Sequence, residues 1–301
     1  MWKSKLLLAV AATALTVSAV RAEAADWRKT YPTLTLGVIT SENEADRVTR
    51  YKPVRTYLEK KLGVKVTWRT ATDYAGIIEG VRAGKVQIAR FGPASYAKCW
   101  MITKGAVEPL VGDLDKDGSF GYYSAIVVKA DSPYTSVADL KGKKLAFADP
   151  NSTSGFQAPK FFLGEEGYAA DTFFGATGFS GSHENSVMAV MNGTYDAAAT
   201  WWNNERRSNP QRMADKGMIP QKSWRVIWKS PNLPSSPWAM STKLPARMRK
   251  DVQDALMAMP GESPEAWKAL TDGKASAFRT VTHKDYEAIV RMIQANLDKR
   301  G

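Results

Sequence analysis

Leu34-Thr35-Leu36-Gly37-Val38-Ile39-Thr40 begins an alternation of strand and helix signals that decides the fold. Its apolar, β-branched character predicts a strand over residues 34–40. Tyr51, Val54, Leu58 and Leu62 then recur at helical spacing, with Pro53 suited to a first turn and Gly63 to a stop. Residues 64–69 read as a second strand. Residues 73–82 read as a helix that Asp73 can cap. A third strand over 86–91 and a helix over 94–103 follow. This β-α-β-α order predicts a mostly parallel sheet covered by helices on both faces.

The same alternation continues downstream. Strands are expected at 122–129, 145–148, 196–200, 226–229 and 238–241, with helices from about Gly155 and over 184–191. The tail carries Tyr286, Ile289, Ile293 and Leu297 on one helical stripe. Asp113-Leu114-Asp115-Lys116-Asp117-Gly118-Ser119 is turn-rich and has some look of a calcium loop. It lacks the distal Glu and the following helix, so a polar turn is expected. With no repeat and no long linker, the pattern predicts two α/β lobes joined by crossing strands. Open α/β sheets bind ligands at the carboxyl ends of their strands, which makes the cleft between the lobes the expected site.

Composition narrows the function class. The chain is 301 residues long, 44% hydrophobic and 24% charged, so disorder is not indicated. Its formal charge is +12, yet Lys60-Lys61, Lys143-Lys144 and Arg206-Arg207 are only short pairs. Scattered charge argues against nucleic acid and suits a small anionic ligand. Lys3 and Lys5, an apolar run over 6–20, and Ala22-Glu23-Ala24 predict a secretory signal peptide over 1–24. Cleavage is expected after Ala24, with Ala22 as the alternative. The single cysteine, Cys99, cannot form an internal disulfide and is expected to be a buried small residue.

Asp149-Pro150-Asn151-Ser152-Thr153-Ser154-Gly155 is the strongest local signal. A strand leads in and a helix leaves. Such a turn exposes the free N–H groups and the positive dipole end of the helix. Ser152, Thr153 and Ser154 add three hydroxyl donors, and tetrahedral oxyanions need several donors from one side. The competing reading is a well-capped helix without a ligand. His183, in Gly181-Ser182-His183-Glu184, precedes a second helix and could add a donor, or could simply cap. His283 is expected only to cap the C-terminal helix. Tyr74 and Tyr122 each offer a hydroxyl and a flat apolar face, or simple aromatic packing. Trp201-Trp202 follow a strand and need a cover, either a ligand cleft or the core.

Enzyme signatures are weak. There is no Cys-x-x-Cys or His-Glu-x-x-His, and two histidines and one cysteine make a poor zinc set. Gly178-Phe179-Ser180-Gly181-Ser182 fails the nucleophile-elbow spacing. Residues 149–155 lack the P-loop ending. Ser152 or Ser154 with His183 could form a hydrolase pair, although no acid is indicated as its third member.

Several ordered segments carry a resemblance. They include Gly37-Val38-Ile39-Thr40, Asp73-Tyr74-Ala75-Gly76-Ile77-Ile78, Gly121-Tyr122, residues 149–156, Gly181-Ser182-His183-Glu184 and Ile227-Trp228-Lys229-Ser230-Pro231. Through them the chain resembles the periplasmic phosphonate-binding proteins of ABC transporters, within the wider phosphate/phosphite/phosphonate-binding family. The resemblance implies a type II periplasmic-binding fold of two lobes: residues 25–122 with 231–301, and residues 123–230. It implies that Ser152, Thr153, Ser154 and His183 hold the phosphorus oxygens while Tyr74 and Tyr122 close on them. It implies no catalysis, no cofactor and no metal. The implied partners are a small phosphorus oxyanion and a permease in the inner membrane, with the binding protein in the periplasm.

One departure bears on the ligand. Aminoalkylphosphonate binders of this family meet the ligand's ammonium with two carboxylates, which fall here near Asn203 and at Ser236. Glu205 takes the first place if the loop slips by two residues. A buried ammonium without a carboxylate is costly. An amine-free phosphonate, phosphite or phosphate is therefore expected, with Asn203 bonding an oxygen or filling space. A different small solute, such as a thiamine precursor, remains the alternative.

Overall fold

The computed structural model describes residues 26–39 and 42–298. The signal peptide expected over 1–24, and Thr40 at the end of the first expected strand, lie outside the described residues. The first lobe contains strands β1 (Thr33–Val38), β2 (Lys65–Arg69), β3 (Ile88–Arg90) and β4 (Val107–Asp115). The second contains β5 (Tyr123–Lys129), β6 (Lys144–Phe147), β7 (Ala176–Phe179), β8 (Ala197–Asn204), β9 (Arg207–Ser208) and β10 (Trp224–Lys229). The chain then returns to the first lobe for β11 (Pro237–Ser241) and β12 (Ala275–Thr280). The first sheet has the order β12-β4-β11-β3-β1-β2. The second runs β10-β5-β8-β6-β7, with β9 on β8.

The β-α-β-α stretch is parallel as expected: β1 pairs with β2 and β3 in parallel, as β6 does with β7 and β8. The expectation of mostly parallel sheets needs correction, because both sheets are mixed. Strands β11 and β5 lie on the chain segments that pass between the lobes. They run antiparallel to their neighbours, as do β4 with β12 and β10 with β5. The two passages touch where Tyr122 and Leu233 exchange backbone hydrogen bonds of 2.9 and 2.8 Å.

Burial follows pattern. Central strand β5 is apolar on both faces: Ile126 and Val128 pack in one core and Val127 in another. In the first lobe, Leu34 and Leu36 face Leu58, Trp238 and Leu256, while Ile77, Phe91 and Tyr96 fill the opposite face. The first long helix, Glu44–Leu62, begins earlier than its apolar spacing indicates. Asn43 caps it, Glu44 and Asp46 favour its positive end, and Pro53 lies inside it rather than in its first turn. Gly63 ends it at φ +68°, a left-handed conformation that favours glycine. Cys99 is fully buried, as expected. His283 does not cap: Thr282 and Asp285 do that, and the imidazole stacks on Trp100 at 4.0 Å and bonds the Tyr96 hydroxyl.

Candidate functional site

The motif at 149–155 is built as a polar turn under tight constraint. The Asp149 carboxylate accepts from Asn151 N–H at 2.6 Å and, across the cleft, from Tyr74 N–H at 3.3 Å. Burial pushes its pKa up, and these N–H groups pull the other way. The Ser152 hydroxyl caps the following helix by accepting from Gly155 N–H at 3.0 Å. That helix opens with a wide turn over Thr153–Gln157 before Ala158–Glu165. Gly155 is required by close approach. A Cβ there would stand 2.6 Å from Ala148 Cβ, 2.8 Å from Ser152 Oγ and 2.9 Å from His183 Cε1.

Thr153 links the lobes: its hydroxyl oxygen accepts from Ala94 N–H at 2.8 Å, at the start of helix Pro93–Ile102. The Ser124 hydroxyl on β5 donates to the Ser154 carbonyl at 2.7 Å, fixing the turn from below. Tyr74 starts helix Tyr74–Arg82, which Asp73 caps as expected, and His183 starts helix His183–Met191, capped by Ser182. Four helix N-termini, two from each lobe, thus converge on one cavity of about 150 Å³. Converging N–H groups and dipoles favour an anion.

The cavity brings together Tyr74, Tyr122, Ser152, Thr153, Ser154, His183 and Asn203, and Ser236 with them. Tyr74 is buried without a well-aligned partner for its hydroxyl. Burial holds both tyrosines protonated, Tyr122 pushed up to about 12 and Tyr74 higher still, so each presents a neutral O–H. His183 is enclosed. Its Nε2 lies 3.1 Å from Ser152 Oγ and its Nδ1 lies 3.2 Å from Thr200 Oγ1. Burial, and secondarily the Arg212 charge, lower its pKa to about 3, so the ring is neutral near pH 7. Trp201 lines the cavity beneath the Arg212 guanidinium, and Trp202 is buried, so each finds cover within β8.

Asn203 donates to Asp115 Oδ2 and to the Gly121 carbonyl, both at 3.1 Å. Glu205 is exposed in the turn after β8 and is not among the lining residues. The lining also includes charges not anticipated from sequence. Arg50 pairs with Glu42 at 2.9 Å, Arg212 with Glu42 at 3.3 Å, and Arg90 with Asp113 at 2.9 Å. Arg207 reaches Asp113 at 3.3 Å and also pairs with Asp115. The expected turn over 113–119 is in fact strand through Asp115. Its alternating aspartates share one face, and that face meets arginines. Arg207, Arg212 and Lys216 of the second lobe all engage carboxylates of the first, so the lobes are in contact across the cleft.

A family model for the phosphonate periplasmic substrate-binding protein of ABC transporters matches residues 36–286. The phosphate-import protein PhnD of Mycolicibacterium smegmatis is 32% identical over 85% of this chain and 84% of its own. The phosphonates-binding periplasmic protein of Escherichia coli is 35% identical over 77% of this chain and 67% of its own. The crystal structure of a binding-protein component of an ABC phosphonate transporter from Pseudomonas aeruginosa superposes with a TM-score of 0.77. It is 26% identical, covering 87% of this chain and 85% of that one. The fold is that of the Pseudomonas aeruginosa binding protein, and the chain belongs to the phosphonate periplasmic substrate-binding family of ABC transporters.

Proposed function

We propose that the cleft captures a small phosphorus oxyanion, a phosphonate, phosphite or phosphate, for import. One observation carries this reading: four helix N-termini, the hydroxyl residues Ser152, Thr153 and Ser154, and the tyrosines Tyr74 and Tyr122 converge on one small cavity. The cavity's guanidinium groups are already paired with carboxylates. The ligand's charge is therefore met by neutral donors, which give charge-assisted hydrogen bonds.

The lobes, residues 25–122 with 231–301 and residues 123–230, turn about the paired passages at Tyr122 and Leu233. Ligand binding favours the closed population, and the closed form docks on an inner-membrane permease. The mature protein, cleaved after Ala24, works in the periplasm. Hydrolysis by Ser152 and His183 is the one competing chemistry with a geometric basis, their 3.1 Å contact. Two features count against it. The second ring nitrogen meets the Thr200 hydroxyl instead of a carboxylate. A histidine with a pKa of about 3 is also a weak general base near neutrality.

The test is calorimetry on Ser154→Ala and His183→Ala. Each should weaken methylphosphonate or phosphate binding by about tenfold or more, with an unchanged circular dichroism spectrum. Wild-type affinity in both variants would overturn the site.

A further inference from the structure

A set of contacts between the lobes runs from the cavity wall out to solvent. Glu184 stands in the first turn of the second-lobe helix His183–Met191. Its Oε2 accepts from Asn43 N–H at 2.8 Å and from Asn43 Nδ2 at 2.9 Å. Asn43 is the N-cap of the first-lobe helix Glu44–Leu62. A carboxylate of one lobe therefore sits at the positive end of a long helix of the other. Beside it, Lys216 Nζ of the second lobe lies 2.6 Å from Asp46 Oδ2 and 3.9 Å from Glu42 Oε2 of the first, and 3.8 Å from Glu184 Oε1. Arg212 reaches Glu42 at 3.3 Å and Glu184 at 3.7 Å. Glu42 and Arg212 line the cavity, whereas Asn43, Asp46, Glu184 and Lys216 do not.

These charges balance only when the lobes meet. Within the first lobe, Glu42 and Asp46 have the single cation Arg50 near them, and Asp272 shares it. Within the second, Arg212 and Lys216 have the single carboxylate of Glu184. Each side of the cleft thus carries an excess of opposite sign, and closure brings the two together. We propose that Glu184 and Lys216 are positioning residues that set ligand affinity by clasping the closed lobes, without touching the ligand. A contact that raises the closed population raises apparent affinity in proportion. The Lys216 and Asp46 side chains are 28% and 26% exposed, so salt reaches this end of the clasp and ionic strength tunes ligand release. The inference rests on the reading that the lobes close on a captured oxyanion.

Calorimetry with inorganic phosphate and with methylphosphonate tests it. Lys216→Met keeps the aliphatic stem and should weaken binding about threefold to tenfold, and Lys216→Arg should restore most of the loss. Glu184→Gln should weaken binding about tenfold. In two double-mutant cycles, Lys216→Met with Asp46→Asn and Glu184→Gln with Asn43→Ala, the double variant should bind no worse than its weaker single variant. Wild-type affinity should also fall more steeply than that of Lys216→Met between about 20 mM and about 500 mM sodium chloride. A merely structural lysine would leave that slope unchanged. Unchanged affinity or full additivity in one cycle would strike that pair from the clasp, and in both cycles would overturn it. If neither compound binds the wild type, the oxyanion reading fails and solution X-ray scattering decides the clasp. Ligand-free Lys216→Met and Glu184→Gln should then have a larger radius of gyration than the wild type, and equal radii would overturn the clasp as well.

Discussion

Acidification should expose the burial of His183 in a way that one substitution can isolate. In the unfolded chain its imidazole takes a proton near pH 6.5, whereas in the folded chain the pKa is lowered to about 3. Between those values the unfolded state binds more protons, so stability falls as pH falls. The contribution is fully present above pH 6.5 and is lost progressively toward pH 3. One pKa unit corresponds to about 1.4 kcal/mol. The loss attributable to His183 is therefore about 2 kcal/mol at pH 5 and about 5 kcal/mol when complete. His183→Gln removes the titrating group while retaining an amide able to bond Ser152 or Thr200. Urea unfolding of both proteins, ligand-free, at pH 7, 6 and 5 gives the difference between them. Other titrating groups, including Asp149 and His283, cancel in that difference. The wild-type advantage should shrink by about 2 kcal/mol from pH 7 to pH 5. A difference constant to within about 0.5 kcal/mol would mean that the folded protein admits a proton at His183 as readily as the unfolded chain does. The enclosed, neutral imidazole described above would then be wrong.

Other perturbations probe the remaining parts. Gly155→Ala places a methyl among Ala148, Ser152 and His183 at 2.6–2.9 Å. It should cost about 1–3 kcal/mol in urea unfolding and weaken oxyanion binding in calorimetry. Tyr74→Phe and Tyr122→Phe each remove one neutral donor and should each lower affinity about tenfold, with little change in unfolding midpoint. Arg207→Met leaves Asp113 and Asp115 with less compensation where the lobes meet. It should destabilise the closed form by about 3–5 kcal/mol, visible as a larger radius of gyration in solution X-ray scattering.

Much of this was legible in sequence because local rules governed it. The turn at 149–155 combines a strand exit, a cap and three hydroxyls, so its place at a helix N-terminus facing the cavity can be anticipated from spacing. Asp73 as a cap and Gly63 as a stop are equally local signals. The helix start at Asn43 was legible as well, through a capping residue followed by Glu44 and Asp46, but the apolar spacing from Tyr51 concealed it. Arg90, Arg207, Arg212 and Glu42 could not be found this way. Their roles depend on tertiary proximity between lobes, and Arg207 sits in a short basic pair that looks like ordinary surface. Asp113 and Asp115 carried a usable signal, since alternate residues of a strand share a face. The glycine and polar residues after them favoured a turn instead. Sheet direction was also nonlocal: the strands around the inter-lobe passages run antiparallel, and no periodicity encodes that.

The central claim is that neutral donors in the cleft capture an amine-free phosphorus oxyanion. Calorimetric titration of the refolded, ligand-free protein tests it most directly, with methylphosphonate, phosphite, phosphate, 2-aminoethylphosphonate and a thiamine precursor as the panel. The account predicts one-to-one binding of at least one amine-free phosphorus compound, with 2-aminoethylphosphonate clearly weaker. No heat from any phosphorus compound, with the thiamine precursor binding instead, would contradict it.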